Sequence, residues 1–137
     1  MVARGVRDGD AQCVRKAAAL FDLMLPGECV VVPMPSHAGK PRQMLEVASL
    51  CTGGGRVLDA GLTCKPHPSS YEEKLAGFAP LPFQAFWNPT TEAAKSGRVP
   101  VFVIDNVVCS GMTAACALSA IAPAEAKVCT LAMSVWR

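Results

Sequence analysis

No two cysteines of this chain are spaced as C-x-x-C, and the total of seven is odd, so neither a zinc ribbon nor a complete disulfide framework accounts for them. Charge is also scarce. Only 18% of residues are Asp, Glu, Lys or Arg, thirteen basic against eleven acidic, with no dense block of either sign. A formal +2 spread in this way argues against nucleic acid or a membrane surface as a partner. The opening residues MVARGVRDGDAQC lack the continuous apolar stretch of an export signal. The longest uncharged run, Asn106 to Ala124, approaches a bilayer span in length. Asn106, Ser110, Gly111, Thr113, Ser119 and Pro123 interrupt it, so it reads as a loop and a buried helix. There is no internal repeat and no low-complexity tract.

What the chain has instead is apolar residue content. At 137 residues and 51% hydrophobic it has the size of one domain and enough apolar side chains to fill its interior, which excludes disorder and coiled coil as the main state. Residues 1–137 are therefore read as a single domain. Several cysteines sit within apolar runs, where Cys acts as a small hydrophobe, and the expected compartment is the reducing cytoplasm.

Apolar positions Val14, Ala17, Ala18, Phe21, Met24 and Leu25 recur at helical spacing and predict a helix over 11–25, capped by Asp8 or Asp10 and stopped by Pro26-Gly27. Cys29-Val30-Val31-Val32 reads as a strand covered on both faces and ending at Pro33-Met34-Pro35. A helix from Pro41 to Cys51 and a short strand from Arg56 to Ala60 are expected next. Residues 61–97 carry five of the eleven prolines and read as an irregular segment. Within it Ser70 and Glu73 can form a capping box for a helix reaching Ala76, Phe78, Phe83, Phe86 and Trp87 form an aromatic group, and a helix is expected from Asn88-Pro89 to Lys95. The last third predicts an apolar strand over 99–104, a helix over 111–121 and a third apolar strand over 127–132. Strands alternating with helices define an α/β fold with a mainly parallel sheet flanked by helices.

The chemistry concentrates in Val101-Phe102-Val103-Ile104-Asp105-Asn106-Val107-Val108-Cys109-Ser110-Gly111-Met112-Thr113. A buried strand ends in an acid, and a loop of small residues then feeds a helix. Ligands of parallel sheets bind beyond the carboxyl ends of the strands. The turn at Ser110 to Thr113 brings backbone N–H groups and two hydroxyls to a helix N-terminus, where a phosphate is stabilised. The Asp105 carboxylate would repel an anion, so its own partner is a hydroxyl pair or a metal ion. A sugar phosphate satisfies both halves.

This stretch resembles the signature of type I phosphoribosyltransferases, an apolar strand followed by Asp/Glu-Asp, two apolar residues and Thr/Ser/Asp-Thr/Ser-Gly-x-Thr. The order of elements from about Ala11 to Val135 resembles the ComF-like subgroup, in which a strand ends in Val-Pro-x-Pro as Val32-Pro33-Met34-Pro35 does here. The resemblance implies a transferase that binds phosphoribosyl pyrophosphate (PRPP) with substrate-chelated Mg²⁺ and passes ribose 5-phosphate to a nitrogen acceptor, which the sequence does not identify. It implies catalytic roles at the ribose for Asp105 and Asn106, and a 5′-phosphate cradle at Cys109, Ser110, Gly111, Met112 and Thr113. Pro35, Ser36 and His37 would meet the pyrophosphate, with Lys40 or Arg42 as charge donors, and residues 61–97 would form a short or irregular hood. No dedicated metal ligands are expected, and a homodimer is the family's expectation. Two positions depart from the pattern. Asn106 stands where the second acid would be, and Cys109 stands where some purine-type members carry a carboxylate, which disfavours a 6-oxopurine acceptor. The alternative reading is a non-catalytic PRPP or nucleotide sensor, or a ComF-like accessory protein in DNA uptake or processing. His67, between two prolines and without a second ligand at useful spacing, reads as a loop residue.

Overall fold

The computed structural model describes residues 2–39, 42–68, 77, 84–108, 111–122 and 125–133. Five helices and six strands occur among them: α1 (Val2–Arg7), α2 (Ala11–Met24), β1 (Cys29–Pro33), α3 (Gln43–Leu50), β2 (Arg56–Leu58), β3 (Leu62–Cys64), β4 (Ala85–Trp87), α4 (Glu92–Ser96), β5 (Val101–Val108), α5 (Met112–Ile121) and β6 (Ala126–Met133). β2, β1, β5 and β6 form, in that order, a sheet whose neighbours are all parallel. The fold is therefore α/β, a four-stranded parallel sheet flanked by helices.

β1 is buried at all five residues because its side chains alternate into two cores. Val31 joins Val6, Val14, Phe21, Val47 and Ile104 on the face covered by α1, α2 and α3. Val30 and Val32 join Leu62, Val101, Val103, Ala117 and Ile121 on the other face, where α4, α5 and the β3–β4 hairpin pack. Each fully buried Val, Leu, Ile or Phe contributes about 1.5–3 kcal/mol relative to exposure, so a continuous apolar strand suits a central position in the sheet.

The α2 helix starts where Asp10 Oδ1 accepts the Cys13 N–H at 2.9 Å. Its far end is closed by Arg56 of β2, whose guanidinium pairs with Asp22 Oδ1 at 2.6 Å and donates to the Leu25 and Pro26 carbonyls at 2.9 and 2.8 Å. Carbonyls at and just beyond a helix C-terminus have no partner within the helix, and Arg56 supplies one.

Several boundaries differ from the sequence reading for identifiable reasons. α3 begins at Gln43, with Arg42 at its N-cap, and Pro41 lies outside the described residues. β5 continues to Val108 because β6 keeps pairing with it through Val107–Ala132 and Val108–Met133. Asp105 thus sits within a strand, opposite Thr130, rather than at its end. α4 begins at Glu92 and not at Asn88, since Asp59 holds the preceding Thr90 and Thr91 by their backbone N–H groups at 2.9 and 3.0 Å. The irregular segment contains an antiparallel pairing, Leu62 opposite Trp87 and Cys64 opposite Ala85. The expected Ser70–Ala76 helix, Phe78 and Phe83 lie outside the described residues.

Six cysteines, Cys13, Cys29, Cys51, Cys64, Cys116 and Cys129, are free thiols. Burial pushes Cys51 up to about 11, with Asp22 adding to the shift and Arg56 opposing it, and burial also raises Cys29 and Cys64. Because thiolate is the reactive form, these three are expected to resist a thiol-specific disulfide reagent at pH 8 in the native protein and to react after denaturation. Rapid native labelling of Cys51, read by mass spectrometry, would contradict the packing of α2 on α3.

Candidate functional site

The first strand of the sheet, β1, is followed in sequence by β2 on one side, and the chain later returns to its other side as β5. This reversal of order leaves a crevice beyond the carboxyl end of β1, the place where ligands of open parallel sheets bind. Pro33 is level with Ile104, and the Met34 N–H donates to the Ile104 carbonyl at 3.0 Å. Past that point the two strands part, and a cavity of about 150 Å³ opens. Met34, Pro35 and Ser36 line it from the loop after β1, Asp105 and Asn106 from β5, Arg42, Gln43 and Met44 from the start of α3, and Val6 and Arg7 from α1.

Asp105 is the carboxylate of this lining. Burial pushes it up to about 6, against the pull of the Asn106 N–H, which donates to its Oδ1 at 2.8 Å. The group is poorly solvated and ready to accept hydrogen bonds from a ligand. Asn106 is committed elsewhere: its Nδ2 donates to the Ala3 carbonyl of α1 at 2.6 Å. Its Oδ1 is buried without a hydrogen-bond partner among the described residues. Asn106→Asp, which would install the second acid of the resembling signature, is expected to destabilise the fold by about 2–4 kcal/mol. A carboxylate cannot donate to Ala3 and adds a second buried charge beside Asp105. Denaturant titration checks this, and an unchanged midpoint would mean that the Asn106 contact holds nothing.

The loop after β1 is shaped by its own hydroxyl and by the hairpin. Ser36 Oγ accepts the Ala38 N–H at 3.3 Å, and the Gly39 N–H donates to the Ser36 carbonyl at 2.8 Å. Gly39 has φ of +105°, and a Cβ there would lie 2.8 Å from the Cys64 carbonyl oxygen, so glycine is needed for both reasons. The Gly39 carbonyl accepts the Cys64 N–H at 3.0 Å, and the His37 carbonyl accepts the His67 N–H at 2.9 Å. The two histidines thus meet through their backbones, and His67 Nδ1 lies 2.8 Å from the Pro68 carbonyl.

Of the residues expected to bind ligand, Pro35, Ser36, Asp105 and Asn106 converge on the crevice, together with Arg42. His37 is exposed and outside the lining. Gly111 caps α5 in the left-handed conformation, φ +81°, ψ −6°, followed by Met112 and Thr113 in the first turn, and these three are not part of the lining. Lys40, Cys109 and Ser110 lie outside the described residues.

Two elements escaped the sequence reading. The α1 helix has six residues and no distinguishing periodicity, yet it supplies Val6 and Arg7 to the crevice. Asp59, just after β2, is almost fully buried and accepts hydrogen bonds from Gly61, Thr90 and Thr91. An acid directly after an apolar strand was the available signal for it.

Among the described residues, no group of three or more His, Cys, Asp or Glu side chains could hold a metal ion. No described helix is long and apolar enough to cross a membrane. No known protein-family profile matches the chain, and no curated protein sequence matches it.

Proposed function

We propose that the crevice between β1 and β5 binds PRPP and that the chain is a phosphoribosyltransferase of the type I, ComF-like kind, acting on a nitrogen acceptor. The observation carrying this reading is the convergence at one switch point of the Pro35–Ser36 loop and Asp105, the two segments that the signature resemblance assigns to pyrophosphate and ribose. Asp105, ionised above about pH 6, accepts the ribose hydroxyl protons in hydrogen bonds and sets the orientation of the ring. Gly111, left-handed at the N-cap of α5, itself brings no side chain to that end of the helix, as a 5′-phosphate cradle requires.

In the reaction the bond between the anomeric carbon and pyrophosphate oxygen breaks with its electron pair leaving on pyrophosphate. The acceptor nitrogen forms the new bond and releases its proton to solvent. Positive charges near the departing group act on the transition state, where the charge accumulates, and Arg42 is the described loop cation on the crevice. The Asp105 carboxylate alone offers too few oxygen donors for a resident ion, but it suits a cation carried in by phosphates. Such an ion, when bound, would neutralise pyrophosphate charge. The cytoplasm is the proposed setting, in keeping with six unpaired cysteines.

A sensor that binds PRPP without turnover is the second reading, favoured by Asn106, whose amide is engaged with α1 instead of supplying a second carboxylate. Pyrophosphate release measured across a panel of nitrogen bases and amines separates the two. Release with one acceptor supports the transferase, and saturable PRPP binding without release from any acceptor supports the sensor.

A further inference from the structure

The N-terminal helix is docked firmly enough to form a wall of a site. Ala3 and Val6 are buried, and a Cβ on Gly5 would come within 2.2 Å of Cys13 Sγ, so α1 lies directly against α2. The Asn106–Ala3 hydrogen bond joins it to the strand that carries Asp105. One turn further along α1, Arg7 lines the crevice while its side chain remains 69% exposed. Arg42 stands ahead of α3 on the same lining. Two exposed arginines, from the end of α1 and from the residue ahead of α3, therefore stand on the rim of a crevice whose one lining carboxylate is Asp105, a charge pattern suited to a ligand with an anionic end and a hydroxylated end. The Arg7–Asp8 contact, 3.7 Å between exposed side chains, is weak enough to be exchanged for a ligand phosphate.

We propose that α1 is part of the ligand site and that Arg7 holds the pyrophosphate end of PRPP. This deepens the PRPP reading above and rests on it. The ribose end belongs to Asp105, so the two ends are separable by the choice of ligand.

The test is calorimetric titration of PRPP and of ribose 5-phosphate, each with Mg²⁺, into wild type, Arg7→Gln, Arg7→Lys and Asp105→Asn. Arg7→Gln is expected to weaken PRPP binding about tenfold, the scale of one charge-assisted contact, and to leave ribose 5-phosphate within about twofold. Arg7→Lys, which keeps the charge, should recover most of the loss. Asp105→Asn should weaken both ligands. If Arg7→Gln binds PRPP as wild type does, or loses both ligands equally, the role of Arg7 is overturned while the Asp105 site stands. If wild type binds neither ligand, both readings fall together.

Discussion

Asp105→Asn is expected to make the unliganded protein more stable at pH 7 by about 2 kcal/mol and, at the same time, to weaken PRPP binding by at least about 30-fold. The stability half follows from linkage. The folded carboxyl titrates at about 6, above its ordinary value of 3.8, because burial disfavours its charge. The folded state thus binds the proton more tightly than the unfolded state. Its contribution is most favourable below pH 4, declines as the pH rises from about 4 to 6, and becomes a constant penalty of roughly 3 kcal/mol above that. A neutral amide of the same shape removes most of that penalty and flattens this part of the pH profile. The binding half follows from the ribose hydroxyls, which lose an ionised acceptor and meet a group that is itself partly a donor; such contacts are worth about 1.5–3 kcal/mol each. Urea titrations at pH 5 and pH 7.5 check the first half. A variant less stable than wild type at both values would show that Asp105 serves the fold rather than a ligand.

Asp59 is the opposite kind of acid, and its loss should cost about 3–5 kcal/mol. Its Oδ1 accepts the Gly61 N–H at 2.9 Å, while its Oδ2 accepts the Thr90 and Thr91 N–H groups at 2.9 and 3.0 Å and the Thr91 hydroxyl at 2.8 Å. Burial pushes this carboxyl up, but the Thr91 N–H and hydroxyl, with the Gly61 and Thr90 N–H groups, pull harder and leave it below its ordinary value. The contribution is therefore complete above pH 4 and is lost as the pH falls through the depressed value. Asp59→Ala strands three backbone donors, that of Gly61 buried and those of Thr90 and Thr91 part-buried, each costing up to about 1–3 kcal/mol. Asp59→Asn is no remedy, because either orientation of the amide turns its NH₂ toward at least one backbone N–H. Both variants should unfold at markedly lower denaturant concentration, and a shift below about 1 kcal/mol for Asp59→Ala would contradict the network. Gly61 belongs to the same junction, since a Cβ there would lie 2.1 Å from the Asn88 carbonyl oxygen. The carboxylate joins the end of β2 to the start of α4 and so fixes one edge of the hairpin behind the β1 loop.

The contrast between these two acids explains which parts of the protein were legible in the sequence. Continuous β-branched runs such as Cys29–Val32 and Val101–Ile104 announce central parallel strands, because only a strand covered on both faces tolerates them. The Asp10 cap and the Gly111 boundary follow from local backbone requirements that a few residues encode. The start of α4 was not legible, because it is decided by Asp59, which is more than thirty positions away. β3 and β4, with three residues each, are too short for an alternation to show and depend on packing against Val32 and Ala117 in the same core. α1 was invisible for a related reason: an isolated six-residue helix is unstable, and this one exists because Ala3 and Val6 find buried positions. At the site, Asp105, Pro35 and Ser36 could be assigned from the signature and the first loop. The commitment of Asn106 to Ala3, and the presence of Arg7, depend on tertiary placement alone.

The central claim is that the β1–β5 crevice binds PRPP. Its most direct test is titration of PRPP into the folded wild-type chain with Mg²⁺ and again with a chelator, followed by heat. Saturable micromolar binding with Mg²⁺, at one site per chain and much weakened by the chelator, is the result expected. A well-folded protein that shows no saturation at millimolar PRPP, with or without the cation, would contradict the claim.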